Sequence, residues 1–399
     1  MPNKTISTVD GRRVRVGDYN LKESQAVTVP ADLKNEILIV QSSSLPVWGS
    51  SFTIPILEKN ITLNNVRLSF TTSAVTGTSI VGAFNPAFFF FTRIEILQGG
   101  NVIDTVYNSE NFIRNQLMHA DQDRIQINNS AGAYSSATQR ALLSSTTTTN
   151  NHIVNLQCYI NQVKGTVLTD AHGLTLRVYM DSLANVYNVT SGTLTSANIL
   201  SCTAICNVTR LSPASIAQRM SNLSAYPQHS IFHEMRNGTY TIPSGVTTTS
   251  VVLSSLSGKS AGILFTVRAS TVNAGAFNHL AIASFNLLGS DGASLVGGTP
   301  IPANLAVLYN TKVCQSSYNS EVTLSSNNQN ANFYYWAFSI DTLNAMKYGR
   351  ALSSRTLLGN ETLTLTFASA LGSAHTLDVY SYTESILERT MSNVRKTAL

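Results

Sequence analysis

The second half of this chain repeats the plan of the first half without repeating its letters. The run Phe88-Phe89-Phe90-Phe91-Thr92-Arg93-Ile94-Glu95-Ile96-Leu97, closed by a Gly99-Gly100 turn, answers to Leu280-Ala281-Ile282-Ala283-Ser284-Phe285-Asn286-Leu287-Leu288, closed by a turn from Gly289 to Gly292. The alternating run Leu174-Thr175-Leu176-Arg177-Val178-Tyr179 answers to Leu363-Thr364-Leu365-Thr366-Phe367. Each half then ends in one more strand and a short helix-like segment, over 215–222 and 387–393. The offset is about 170 to 190 residues, far longer than a solenoid repeat, so it describes two whole domains of one fold in tandem. A chain of 399 residues has room for two domains that each bury a core.

Only 12% of the residues are charged, while Ser, Thr, Asn and Gly are abundant and most aliphatics are β-branched. Val, Ile and Thr suit a pleated, half-buried surface, so strands joined by polar turns are expected. The balance of 26 Lys plus Arg against 21 Asp plus Glu gives +5, too diffuse to argue for sequence-specific nucleic-acid binding. The first residues lack the apolar core of a signal peptide, and the most apolar run, around 87–91, is too short to cross a bilayer; a soluble protein made in a cytoplasm is expected. Triplets of the Asn-x-Ser/Thr type, as at Asn188 and Asn207, read as incidental in so Asn-rich a chain.

Residues 1–34 form a polar arm carrying Arg12, Arg13, Arg15 and Lys22. The first domain, 35–222, reads as strands over 37–41, 52–56, 61–70, 88–97 and 102–107, then an amphipathic helix opened by Ser109 and Glu110. A long loop spans about 120–151. Strands resume at 153–160, 174–180 and 199–208, and Pro213 opens a connecting helix. The second domain, 223–386, repeats the order with strands at 230–235, 248–253, 263–268 and 280–288, a helix near 303–309, then strands at 333–340, 363–367 and 377–382. Residues 387–399 form a basic tail, read as a solvated helix or one docked on a neighbour or an anionic surface. About eight strands per half, with short helices at connections, is the count of a jelly roll, in which two facing sheets protect their edges by a double Greek key. The expected fold is all-β: two tandem eight-stranded jelly rolls, each an antiparallel β-sandwich.

No catalytic constellation stands out. Gly258-Lys259-Ser260-Ala261-Gly262 fits a nucleophile-elbow pattern, but a strand-like run follows it where the elbow needs a helix, so it reads as a hairpin turn. The same Gly-Lys-Ser lacks the upstream glycine of a phosphate loop, since Leu253 stands there. His229 and His233 would share a face on a helix, but on the extended segment expected here the rings lie about 13 Å apart. His119, His152, His172, His279 and His375 have no metal-ligand spacing. Asp121 with Asp123, and Asp104 with Glu110, are the nearest approach to paired carboxylates, and Glu110 more plausibly serves the helix dipole. Cys158, Cys202, Cys206 and Cys314 lack Cys-x-x-Cys spacing and read as buried free thiols. The aromatic runs at 88–91 and 333–336 are read as sheet core at matching points of the two halves, one face meeting the other domain. No catalytic, cofactor or metal residue is assigned.

Tandem eight-stranded domains, a polar arm, a basic tail and the segment Phe91-Thr92-Arg93-Ile94-Glu95-Ile96-Leu97-Gln98-Gly99-Gly100-Asn101-Val102-Ile103-Asp104 resemble a double jelly-roll major capsid protein, the family of adenovirus hexons, tectivirus-type bacteriophages and large DNA viruses. The compactness of the chain is similar to the bacteriophage members. The resemblance implies a homotrimer forming a pseudo-hexagonal capsomer that tiles an icosahedral virion shell, with strands upright and termini inward. It implies neighbouring capsomers as partners, with minor capsid or vertex proteins and an internal membrane met through basic termini (Arg12, Arg13, Arg15, Arg389, Arg395 and Lys396). The rival readings are a phage receptor-binding or glycan-binding β-sandwich adhesin and, further off, a polysaccharide hydrolase, since fold alone does not fix function.

Overall fold

Leu174, Leu176, Val178 and Met180 are buried while the residues between them are half-exposed, so the alternation in the sequence becomes one wall of a sandwich. In the computed structural model the described residues are 34–119, 121–133, 146–163, 166–168, 172–270, 279–303, 305, 321–324, 329–339 and 354–398. Sixteen of the strands form two sandwiches of the same plan. The first uses β1 (Lys34–Gln41), β2 (Ser51–Ile56), β3 (Ile61–Thr72), β4 (Phe91–Gln98), β5 (Asn101–Tyr107), β6 (Asn150–Asn155), β7 (Leu174–Met180) and β8 (Ile199–Arg210). Antiparallel pairing orders them β1-β8-β3-β6 in one sheet and β2-β7-β4-β5 in the other.

The second uses β9 (Gln228–Ile242), β10 (Thr248–Val252), β11 (Ser257–Ala269), β12 (Ser284–Leu288), β13 (Ile301–Pro302), β14 (Gln329–Ala337), β15 (Thr362–Thr366) and β16 (His375–Arg389). Its sheets run β9-β16-β11-β14 and β10-β15-β12-β13. Counted from the start of each domain, both orders are 1-8-3-6 and 2-7-4-5. That is a double Greek key twice over, a double jelly roll. The two strand correspondences expected from the sequence are therefore real: β4 answers to β12, and β7 to β15.

Because every pairing is antiparallel, odd strands of a domain run one way and even strands the other. The start of β1, the β2–β3 and β4–β5 turns and the end of β8 thus share one end, the base. The opposite end carries helices α1 (Asn108–Met118), α2 (Asp121–Ser130) and, later in the chain, Leu183–Val186, together with a ribbon of Thr76–Phe84 paired to Tyr187–Ser196. The two bases lie side by side: Asn101 Nδ2 donates to Val394 O at 2.6 Å, and His172 Nε2 to Thr390 O at 2.7 Å.

Several expectations need correcting. Phe88 to Phe90 are not strand; Ala87–Phe89 is a 3-10 turn after Pro86, and all three rings are buried. Three buried residues in a row cannot be met by a strand that turns alternate side chains outward, whereas a tight helical turn fans them into one core. The two aromatic runs accordingly do not match in position, since 333–336 lies in β14. Within the expected loop 120–151, residues 121–130 form α2. Its helical apolar period is absent, and it is held instead by Gln116 and Asn128, which exchange hydrogen bonds of 2.8 and 3.0 Å, and by Ile127 against the core. The expected strand 153–160 stops at Asn155, and a short helix, Tyr159–Gln162, follows. The strand expected at 280–288 is only Ser284–Leu288. The helix near 303–309 falls largely outside the described residues.

The expected helix-like tail is a hairpin. β16 continues to Arg389, across the boundary expected at 386/387, and Val394–Ala398 returns along it. β11 pairs β16 only from His375 to Thr383, so the hairpin covers the length of edge that β11 leaves bare.

Candidate functional site: a seam and an open face

The motifs flagged in the sequence do not converge. Ser260 is fully buried in β11, accepts from Ser381 Oγ at 2.8 Å and donates to Gly262 O at 3.0 Å, so it is a sheet hydroxyl and not a presented nucleophile. His229 is exposed beside Glu388 at 3.1 Å, while His233 is buried, which separates the two rings. Among the described residues no three His, Cys, Asp or Glu side chains cluster as metal ligands. Cys158, Cys202 and Cys206 are buried free thiols whose pKa burial pushes up; Cys314 lies outside the described residues.

What the structure does build is a seam between the barrels. The sheet β9-β16-β11-β14 turns its inner face to the second core, through Phe265, Tyr334 and Val379, and its outer face to the first barrel. Phe232, Leu264, Phe333, Tyr335, Tyr380 and Tyr382 all join the first barrel's core cluster. Tyr335 and Tyr382 meet edge to face at 5.8 Å, and Tyr107 of β5 lies 6.0 Å from Tyr380. For β14, then, the expectation that one aromatic face meets the other domain holds. Gly262 is required here, because a Cβ would collide with the Tyr335 hydroxyl and sit 2.8 Å from Trp336 O. The free edge of β9 is capped by one side chain: Gln162 Nε2 donates to His233 O at 2.9 Å, and His233 N donates to Gln162 Oε1 at 2.7 Å. A carboxamide thus stands in for the next strand's peptide group.

Charge is buried in the seam, and it is paired. Arg114 donates to Glu110 at 2.8 Å within α1, both fully buried, and its guanidinium lies 5.5 Å from the Tyr382 ring centre. Burial pushes Glu110 up to about 7 against the pull of Arg114. Burial likewise raises Asp104, although the Tyr159 and Thr105 backbone N–H groups donate to it at 2.7 and 2.9 Å. Burial works to raise Glu234 too, but Lys396, Ser385 and Arg236 together hold it below the usual carboxylate range. Burial lowers His233 to about 4, although Glu384 lies 3.8 Å away and itself pairs with Lys259 at 2.6 Å. An i,i+4 acid–base pair was visible in Glu110 and Arg114; the rest of the network is assembled only by folding.

The basic tail is largely spent on this network. Arg389 is buried, Lys396 pairs with Glu234 and Arg395 with Glu388. Arg389 and Lys396 are therefore held within the fold, while the Arg395 side chain stays 65% exposed. Arg12, Arg13 and Arg15 lie outside the described residues.

The equivalent face of the first barrel is open. On β1, Leu38 and Val40 pack inward while Ile37 and Ile39 are 68% and 61% exposed. Beyond them in register lie Asn207 and Ile205 of β8, then Asn65 and Arg67 of β3. Among the described residues no strand pairs with the outer edge of β1.

No protein-family model and no curated protein matches the chain. Among solved structures it is similar to a chain of the PBCV-1 virus capsid, with a TM-score of 0.68 at 14% identity, covering 91% of this chain and 97% of that one. It is similar to the Faustovirus major capsid protein, at 0.58 and 9% identity over 89% and 90% of the two chains. The mavirus major capsid protein gives 0.50 and 12% identity over 99% and 97%. The likeness spans both jelly rolls and is one of fold.

Proposed function

We propose that this chain is a structural major capsid protein, with no enzymatic role, that forms a homotrimeric pseudo-hexagonal capsomer and tiles an icosahedral virion shell. The observation that carries this reading is the mismatch between equivalent faces. The second barrel's outer sheet face is covered by the first barrel, while among the described residues nothing covers Ile37 and Ile39 on the first barrel's own outer face. A contact between two different faces is heterologous, and repeating it from chain to chain either closes a ring or makes a filament. Closure at three chains places six barrels of one fold around an axis. The solved structures of similar fold are capsid proteins, which favours the ring over an adhesin.

In this reading the partners are further copies of the chain and neighbouring capsomers, and the low charge limits repulsion between many copies. Minor capsid or vertex proteins and an internal membrane would be met at the base, where the arm with Arg12, Arg13 and Arg15 begins. A bacteriophage origin rests only on the compactness of the chain. The test is native mass by light scattering with negative-stain images of the same peak. A mass near 129 kDa, three times the 43.0 kDa chain, with a hexagonal outline is expected. A monomer, or a slender three-fold fibre that binds glycan, would overturn the reading.

A further inference from the structure

The seam inside the chain has two sides. The first barrel reaches out with the end of β5 and the opening turns of α1: Tyr107 lies 6.0 Å from Tyr380, and the Arg114 guanidinium 5.5 Å from the Tyr382 ring centre. The second barrel receives them on the outer face of β16 and its neighbours. Both barrels follow one strand order. The side that reaches out therefore has a counterpart in the second barrel, at the end of β13, and the side that receives has one in the first, on β8.

The outgoing counterpart is apolar and bare. β13 ends at Pro302 as β5 ends at Tyr107. Three residues beyond Tyr107 stands Glu110, fully buried in the seam; three residues beyond Pro302 stands Leu305, 49% exposed. Ile301 and Ala303 pack on the second core, so Leu305 follows a fixed point of the barrel. A lone exposed leucine is ordinary; this one occupies the place from which the other barrel makes its contact. The receiving counterpart is apolar too. Ile205 of β8 is the register partner of Ile39 on β1, which is 61% exposed, and of Arg67 on β3. Tyr380 lies five residues into β16 from His375, and Ile205 six into β8 from Ile199, so the two receiving positions stand at similar heights.

Given the homotrimer proposed above, we propose that Leu305 of one copy docks on Ile39 and Ile205 of the next, repeating between chains the contact that the seam makes within one. The contact joins unlike faces, so three copies close it into a ring. The test pairs Ile39→Cys with Leu305→Cys in a Cys314→Ser background, under mild oxidation and, separately, with a short bis-maleimide that reaches thiols a disulfide cannot. Cys158, Cys202 and Cys206 are buried. Native mass is read on the same sample. Three covalently linked chains in most molecules are expected at about 129 kDa, three times 43.0 kDa, with either single cysteine variant left unlinked. A trimer that links under neither reagent, or a single variant that links as a dimer, overturns this contact and leaves the capsomer standing. A monomer overturns the capsomer and the contact with it. Leu305→Asp should bring the mass down to the 43.0 kDa chain with an unshifted melting temperature, whereas Tyr226→Asp, equally exposed to solvent but at the base, should leave the trimer intact. A Leu305→Asp protein that stays trimeric would also overturn the contact.

Discussion

β8 and β16 hold the same place in their barrels, each pairing with its domain's first and third strands, yet they are buried differently. β8 alternates, with Cys202, Ala204, Cys206 and Val208 inward and half-exposed residues between them. β16 is buried almost continuously from Leu377 to Ser385. One strand has a single dry face and the other has two, and the difference is the first barrel itself, packed on the outer side of β16. Sequence follows burial: β8 offers Thr203, Ile205 and Asn207 outward, where β16 offers Tyr380 and Tyr382. A strand dry on both faces in one barrel and wet on one face in its twin marks where the same contact is still to be made.

The strongest way to break the comparison is to empty the seam. Tyr382→Ala removes a fully buried ring that touches Tyr335 and Arg114, and should cost about 3–5 kcal/mol in denaturant melts. A cost near that of a surface change would mean the barrels do not lean on each other. His233 sharpens the comparison through pH. It is neutral in the fold at about 4 against an ordinary 6.5, so its contribution is complete above pH 6.5 and is lost as pH falls toward 4. Glu384, Arg114 and Lys259 face it, and Glu110, raised to about 7, acts in the opposite sense, losing its contribution as pH rises from 4.5 to 7. His233→Leu should therefore flatten the acid limb of the stability profile by roughly 2–3 kcal/mol relative to the parent chain; an unchanged limb would contradict the assignment.

Gln162→Ala uncaps β9 and should cost about 1–3 kcal/mol, seen together with faster exchange at the His233 amide. The smallest expected effect on the chain is at the open face. Ile39→Asp should change its stability by no more than about 0.5 kcal/mol, because the side chain is 61% exposed. The same residue should be decisive for association.

Much of the barrel plan was legible because it rests on local signals. Leu174 to Met180 alternate cleanly, and the Gly99-Gly100 and Gly289-to-Gly292 turns mark the same corner twice. The missed parts have another physics. The ribbon of Thr76–Phe84 and Tyr187–Ser196 is rich in Gly, Ser and Thr and pairs through three register shifts, so no period shows. α2 is mostly polar and owes its place to Gln116 and Asn128 and to Ile127 against the core. Residues 387–393 read as helix-like beside 215–222, yet they belong to a hairpin that covers an edge local sequence does not announce. The seam was least legible, since Tyr335, Tyr382 and His233 gain their meaning only from the other barrel.

The most direct test is the native mass of the parent protein beside the double variant Ile37→Asp, Ile39→Asp, with melting curves of both. The account predicts about 129 kDa for the parent, three times 43.0 kDa, and a 43.0 kDa monomer with an unshifted melt for the variant. A variant that stays trimeric, or a parent that is already a monomer, would contradict it.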